Sequence, residues 1–254
     1  METSLQTILT SVFAIGLRVG GLMTFAPFFS HMAVSHRTRT GLTIILTLIL
    51  YPIVGNQIVP EGPAGWAGMV GHETMIGLAM GLTLRFVFEG MQVAGQLLGF
   101  QLGFSLVNII DPQTQVDTPL LAIFTQLLTM LVFLQLEIHH WLLRGLASSF
   151  EYLPMGTGIL PSAIPEIVQA AGGIFVIAVQ VAAPIVVATF LADIAVGFLA
   201  KASPQLPVLF LAIPVKSLVG YVVIIGTAPF WLRLLERKFV SAVESMESFL
   251  RLAN

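Results

Sequence analysis

Apolar residues in this chain gather into long blocks, not into the alternating stripes of a half-exposed sheet. Uncharged runs at 40–60, 90–110, 118–136 and 167–192 each approach the ~20 residues that a helix needs to cross the hydrocarbon core of a bilayer. The sequence predicts a first helix from about Leu5 to Phe29, ending near Pro27 and a polar stretch, His31–Thr40, that holds Arg37 and Arg39. A second helix is expected over Leu42–Val59, and Pro60, Gly62, Pro63 and Gly65 mark a loop after it.

The segment Glu73–Ile110 would be ~55 Å long as one helix, more than a hydrocarbon core of ~30 Å can hold. It either breaks near Glu89-Gly90 or projects beyond the apolar layer. As one span it gives five crossings between Arg39 and Arg233, with the two basic clusters on opposite sides. As two short spans it puts them together, so the positive-inside rule does not fix the topology. Leu120–Leu136 follows, then a mixed stretch with Glu137, His139, His140, Trp141, Arg144 and Glu151, and a long loop marked by Pro154, Gly156, Gly158, Pro161 and Pro165.

A helix over Glu166–Ala200 is expected to kink at Pro184. Gln205–Phe230 carries Pro207, Pro214 and Pro229, and the last segment, Phe230–Leu252, changes character. There Trp231, Leu235, Phe239, Val243, Met246 and Leu250 recur at helical spacing, with Arg233, Arg237, Lys238, Glu244 and Glu247 on other faces. That is an amphipathic helix for an interface or a partner.

Composition sharpens the picture. Of 254 residues, 56% are hydrophobic and 9% charged, against roughly 25% charged in an ordinary soluble domain. An all-α, membrane-embedded protein follows. A net charge of −2, with no basic stripe, gives no reason to expect nucleic acid as a partner. The absence of cysteine excludes disulfides, thiolate metal sites and a cysteine nucleophile. Glu2 and Arg18 interrupt what could be taken for a signal peptide, so the first segment is expected to be a retained helix.

Glycines 77 and 81, and again 95, 99 and 103, repeat every four residues. Gly77, Gly81, Gly95, Gly99 and Gly103 are therefore expected to line a face along which another helix or subunit approaches closely, with Gln92 and Gln96 bonding beside it. Six ionisable residues fall inside apolar runs: Arg18, Arg85, Glu89, Asp193, Lys201 and Lys216. Each costs at least ~2.5 kcal/mol in hydrocarbon unless it is paired or faces water. Arg85 and Glu89 lie one turn apart and can satisfy each other. Asp193 has no basic residue within a turn, and Lys201 is ~12 Å along the same helix. Its partner lies elsewhere or it faces water, either as a structural group or as a proton relay.

Catalytic signatures are missing. His72-Glu73 lacks the second histidine of a zinc helix, and Gly103-Phe-Ser105-Leu lacks the closing glycine of a nucleophile elbow. His139 and His140 are adjacent, so on a helix they point about 100° apart. No enzymatic activity, metal or cofactor is expected.

The stretch Asn108-Ile-Ile-Asp-Pro-Gln-Thr-Gln-Val-Asp-Thr-Pro119 interrupts two of the most apolar runs. Pro112 pushes Asp111 out of the α region, and Pro119 suits the first turn of a helix capped by Thr118 or Asp117. A hairpin turn accounts for those residues. It does not account for the length, nor for the apolar lead Val107, Ile109 and Ile110. Non-helical backbone at such a place is tolerated where it lines a wet cavity or is buried in protein.

Residues 95–119, GQLLGFQLGFSLVNIIDPQTQVDTP, closely resemble a hallmark segment of the FliR family, the R subunits of the flagellar type III protein export gate. So do residues 186–216, VVATFLADIAVGFLAKASPQLPVLFLAIPVK, and the opening run RVGGLMTFAPFFS at 18–30. The resemblance covers essentially the whole chain. It implies helical hairpins packed in a hetero-oligomeric spiral with the FliP and FliQ subunits, FlhB at the base, and FlhA and the basal-body rod and MS-ring nearby. Unfolded flagellar proteins are then the export substrates, and the bacterial inner membrane and flagellar basal body the location. Residues 1–165 would be P-like and 166–254 a Q-like hairpin.

The resemblance further implies a channel plug loop at Leu106, Val107, Asn108, Ile109, Ile110, Asp111, Pro112, Gln113, Thr114, Gln115, Val116, Asp117 and Thr118. The competing reading is a self-sufficient ion-coupled secondary transporter, with Asp193, Lys201 or Arg18 coupling ion and solute.

Overall fold

The computed structural model describes residues 2–27, 29, 34–55, 61–104, 120–156, 164–203, 205 and 208–252. Among them the chain forms seven helices: α1 (Glu2–Phe25), α2 (His36–Val54), α3 (Gly62–Gln101), α4 (Leu120–Gln135), α5 (Ile138–Tyr152), α6 (Ile164–Ala202) and α7 (Val208–Leu252). No strand occurs among the described residues. Five of the helices are long and apolar enough to cross a membrane, and α4 with α5, bent by 65°, makes a sixth if the pair is one span. The protein is all-α and membrane-embedded.

Several boundaries differ from the sequence expectation for local reasons. The polar stretch before Leu42 is partly helical: Ser35 caps α2, its Oγ accepting the Thr38 N–H at 3.1 Å, so the helix starts at His36. The hydroxyls of Thr40 and Thr43 donate to the carbonyls of His36 and Arg39 at 2.9 Å, which gives these polar residues a helical place. Likewise α3 starts at Gly62, whose φ is +69°. Pro63 stands in the first turn, where a missing N–H leaves nothing unsatisfied.

Helix α3 then runs unbroken for 40 residues, ~60 Å. Of the two alternatives, a break near Gly90 does not occur. That glycine is a packing notch: a Cβ there would stand 2.9 Å from Ile177 Cβ and 3.1 Å from the Ile174 carbonyl of α6. Proline does not end α6 or α7 either. Pro184 lies inside the 39 residues of α6, and Pro214 and Pro229 lie inside the 45 residues of α7; each removes one backbone hydrogen bond, a loss transmembrane helices tolerate. A true break separates α4 from α5 at Glu137, whose φ is +53°.

The contacts divide the chain into two compact units. The first comprises Met1–Phe86, Phe133–Ala171 and Phe239–Asn254. Its core holds Ile15, Leu22 and Met23 of α1, Ile76, Met80 and Leu84 of α3, Leu142 and Leu146 of α5, and Phe239, Met246 and Leu250 of α7. Helix α2 packs mainly on α1, leaving Ile44, Ile45, Leu48, Ile49 and Ile53 exposed.

The second unit comprises Val87–Val132 and Gly172–Lys238. Met91, Ala94 and Leu98 of α3, Ala122 of α4, Val181 and Ile185 of α6, and Trp231 and Leu235 of α7 are buried in it. The helical stripe read over 231–250 is thus filled by the chain's own cores, and Arg233, Arg237, Glu244 and Glu247 are exposed. Outward-facing Phe175, Val179, Phe190 and Phe198 of α6 and Val222 and Ile225 of α7 form apolar surface that lipid or other subunits must cover.

Candidate functional site

In the first unit the glycine spacing brings α1 and α3 into backbone contact. A Cβ on Gly77 would collide with the Arg18 carbonyl and stand 2.8 Å from the Leu22 nitrogen. One on Gly81 would stand 2.8 Å from the Leu22 carbonyl, and one on Gly21 of α1 would stand 2.6 Å from the Thr74 carbonyl. Small residues on both helices remove the side chains that would keep the axes apart.

That approach places Arg18 against Glu73, one turn before Gly77. Arg18 Nε donates to Glu73 Oε2 at 2.7 Å, and both side chains are fully buried. The other guanidinium nitrogens are used too: Nη1 donates to Ser149 Oγ at 3.0 Å and Nη2 to the Leu153 carbonyl at 2.9 Å. The Phe150 ring centroid lies 4.0 Å from Arg18 Cζ, a cation–π stack. Glu73 Oε1 accepts from the Gly156 N–H at 3.1 Å. One neutral pair therefore joins α1, α3, the end of α5 and the turn after it. Its desolvation is offset by charge pairing and by hydrogen bonds on both partners.

Sequence reasoning singled out Arg18 and missed Glu73, Ser149 and Phe150. Glu73 was hidden because it was read as the start of a helix; eleven residues inside α3, it is an intramembrane carboxylate like the others. The partner lies 55 residues away, beyond any local rule. The other expected charges are less enclosed: Arg85, Glu89 and Lys216 are half-buried, and Asp193 and Lys201 are exposed on this chain. Arg85 Cζ lies 5.9 Å from the Phe25 ring centroid.

Asp193 finds its cation on the next helix, Lys216 Nζ standing 2.8 Å from Oδ2. An ion pair between α6 and α7, on either side of their connection, is the geometry of a helical hairpin. Lys201 makes no part of it.

The loop 106–118 lies outside the described residues, but its two stems, both in the second unit, are defined. Helix α3 closes with a Schellman motif: Gly103 has φ +86°, its N–H meets the Phe100 carbonyl at 3.2 Å, and the Phe104 N–H meets the Gly99 carbonyl at 3.0 Å. Gly103 thus lies beyond the helix and ends it, while Gly99 is buried, Gln92 half-buried and Gln96 exposed. The Leu102 carbonyl accepts from Ser217 Oγ at 3.0 Å, and the Leu102 side chain occupies the space a Cβ on Gly220 would need. On the returning stem, α4 lies against Gly95, where a Cβ would meet Thr125 Oγ1 and stand 2.7 Å from the Leu121 carbonyl. The described helix ends on either side of 105–119 are thus each held against a neighbouring helix.

The sequence profile of a family described as bacterial export proteins, family 1, matches residues 9–242. The flagellar biosynthetic protein FliR of Bacillus subtilis is 30% identical over 241 residues, 93% of each chain. That of Escherichia coli is 30% identical over 205 residues, 80% of this chain and 78% of its own. The secretion system apparatus protein SsaT of Salmonella typhimurium is 26% identical over 198 residues, 76% of each.

Proposed function

The chain belongs to the bacterial export proteins, family 1, and on that premise we propose that it is the R subunit of the flagellar export gate, building with FliP and FliQ subunits the channel that unfolded flagellar proteins enter. It is a flagellar export-apparatus subunit that works beside other export-gate proteins. FlhB at the base of the channel, FlhA nearby, the rod and MS-ring around it, and a place in the inner membrane at the basal body complete the proposal. The role is structural and gating, without catalysis.

The observation that carries this reading is the pair of fixed stems around segment 105–119. A loop that closes a channel against ions, and yields to a polypeptide, needs immobile anchor points. Within it, Val107, Ile109 and Ile110 supply apolar closure, and Asp111 with Pro112 fixes the turn. Residues up to about 165 form the P-like part and α6 with α7 the Q-like hairpin, a division supported by the Asp193–Lys216 bridge across the hairpin. A self-sufficient transporter is not favoured, since the carboxylate best placed to couple an ion is already engaged by a lysine.

Deleting residues 110–116 tests the loop. The assembled gate is expected to leak small ions in the resting state, measured as membrane conductance or ion sensitivity of cells. Unchanged leakage would sink the plug role.

A further inference from the structure

Hydroxyl groups in unit 2 bond back to their own helices. Thr125 and Thr129 of α4, Thr189 of α6 and Thr227 of α7 each donate to a carbonyl three or four residues earlier, the local bond such side chains favour inside a helix. Ser217 of α7 departs from this habit. Its Oγ donates at 3.0 Å to the carbonyl of Leu102, 115 residues away in sequence. Helix α3 ends at Gln101, and the last carbonyls of a helix need donors from outside its own ladder.

Gly220 lies three residues beyond Ser217, on nearly the same face of α7. A Cβ there would overlap Leu102 Cδ2 and stand 3.2 Å from Leu102 Cγ, and Leu102 is only 2% exposed. Gly226 of the same helix has nothing within 4 Å of such a Cβ; the seated leucine is what distinguishes Gly220. Lys216, beside Ser217, holds Asp193 of α6 at 2.8 Å. One turn of α7 therefore grips α6 through a charge, and the end of α3 through a hydroxyl and a notch, all within unit 2. Directly after this fixed point the backbone turns out of its helix at Gly103, φ +86°, so a shift of Leu102 is passed on to the segment that follows.

We propose that Ser217 and Gly220 are positioning residues for the plug loop: by fixing Leu102 to α7 they set where the loop starts, and closure of the resting channel depends on that contact as well as on the loop's own side chains. The inference rests on the plug reading and adds to it the residues outside the loop that govern its closure.

The test measures resting small-ion leakage of cells carrying the assembled gate, with co-isolated membrane subunits quantified per chain. Ser217→Ala leaves the loop sequence intact and is expected to raise leakage about fivefold, the population shift from losing one ordinary hydrogen bond, at native co-isolation. Ser217→Thr, which keeps a hydroxyl, is expected to leak no more than the native chain; leakage equal to that of the alanine variant overturns the proposal. Leu102→Ala, which empties the seat, and Gly220→Ala, which blocks it, are expected to leak at least as much as Ser217→Ala. If Gly220→Ala does not assemble, Leu102→Ala decides for the notch. Leakage that comes only with lost co-isolation in both Ser217→Ala and Leu102→Ala marks a general packing role and overturns the proposal. Native leakage in those two variants, where deletion of 110–116 leaks, overturns this inference and leaves the plug reading standing. A deletion that does not leak overturns both.

Discussion

Replacing Glu73 by leucine removes the carboxylate bonded to Arg18 and leaves a guanidinium with 0% exposure inside unit 1. Breaking a buried pair from one side typically costs about 3 to 5 kcal/mol, because the surviving charge stays desolvated. The Gly156 N–H, bonded to Glu73 at 3.1 Å, loses its acceptor too. For a chain of this size, that shifts the unfolding midpoint by about 6 to 20 °C. Replacing Arg18 by methionine in the same background removes the stranded charge but leaves the Leu153 carbonyl without its donor, about 1 to 3 kcal/mol. The double variant is therefore expected to be less destabilised than the sum of the singles, with a coupling of at least ~2 kcal/mol. Heating detergent-solubilised protein and following the monodisperse peak by size-exclusion fluorescence measures all four forms. Additive single effects, or a Glu73→Leu midpoint within about 2 °C of native, less than 1 kcal/mol at this size, would refute the reasoning that charge pairing organises this unit.

Other substitutions separate glycines by their surroundings. Gly77→Leu forces the α1 and α3 backbones apart and is expected to abolish monodisperse protein, whereas Gly71→Ala, where a Cβ meets nothing within 4 Å, is expected to be neutral or to stabilise by up to ~1 kcal/mol; membrane yield compares the two. Gly103→Ala, at φ +86°, is expected to cost about 1 to 2 kcal/mol, with Gly103→Asn milder, read as the same thermal midpoint.

Much of this was legible in the sequence because the dominant rule is simple: long apolar runs are helices in a membrane protein. The stripe from Trp231 to Leu250, expected for an interface or a partner, is filled by the chain's own cores, and of the glycines expected to share a packing face Gly77, Gly81 and Gly95 lie against other helices of this chain, while Gly103 ends α3. Local composition misled where a residue had two uses. Pro63 and Gly62 read as loop, yet a proline in the first turn starts a helix as well as it ends one. A break near Glu89-Gly90 was one of two readings of 73–110, yet the missing side chain of Gly90 makes room for Ile177. Pairing was out of reach: Arg18 with Glu73 across 55 residues and Asp193 with Lys216 across a helical connection are set by packing. No local spacing rule encodes them.

The most direct test of the central claim is assembly. The chain is expressed alone and together with FliP and FliQ subunits, and the purified species are sized and imaged. The account predicts that the chain enters a stable hetero-oligomer with both partners, its α6–α7 hairpin inside the helical spiral, and is poorly stable without them. A monodisperse monomer or homo-oligomer that moves solute by itself, and excludes the partners on co-expression, would contradict it.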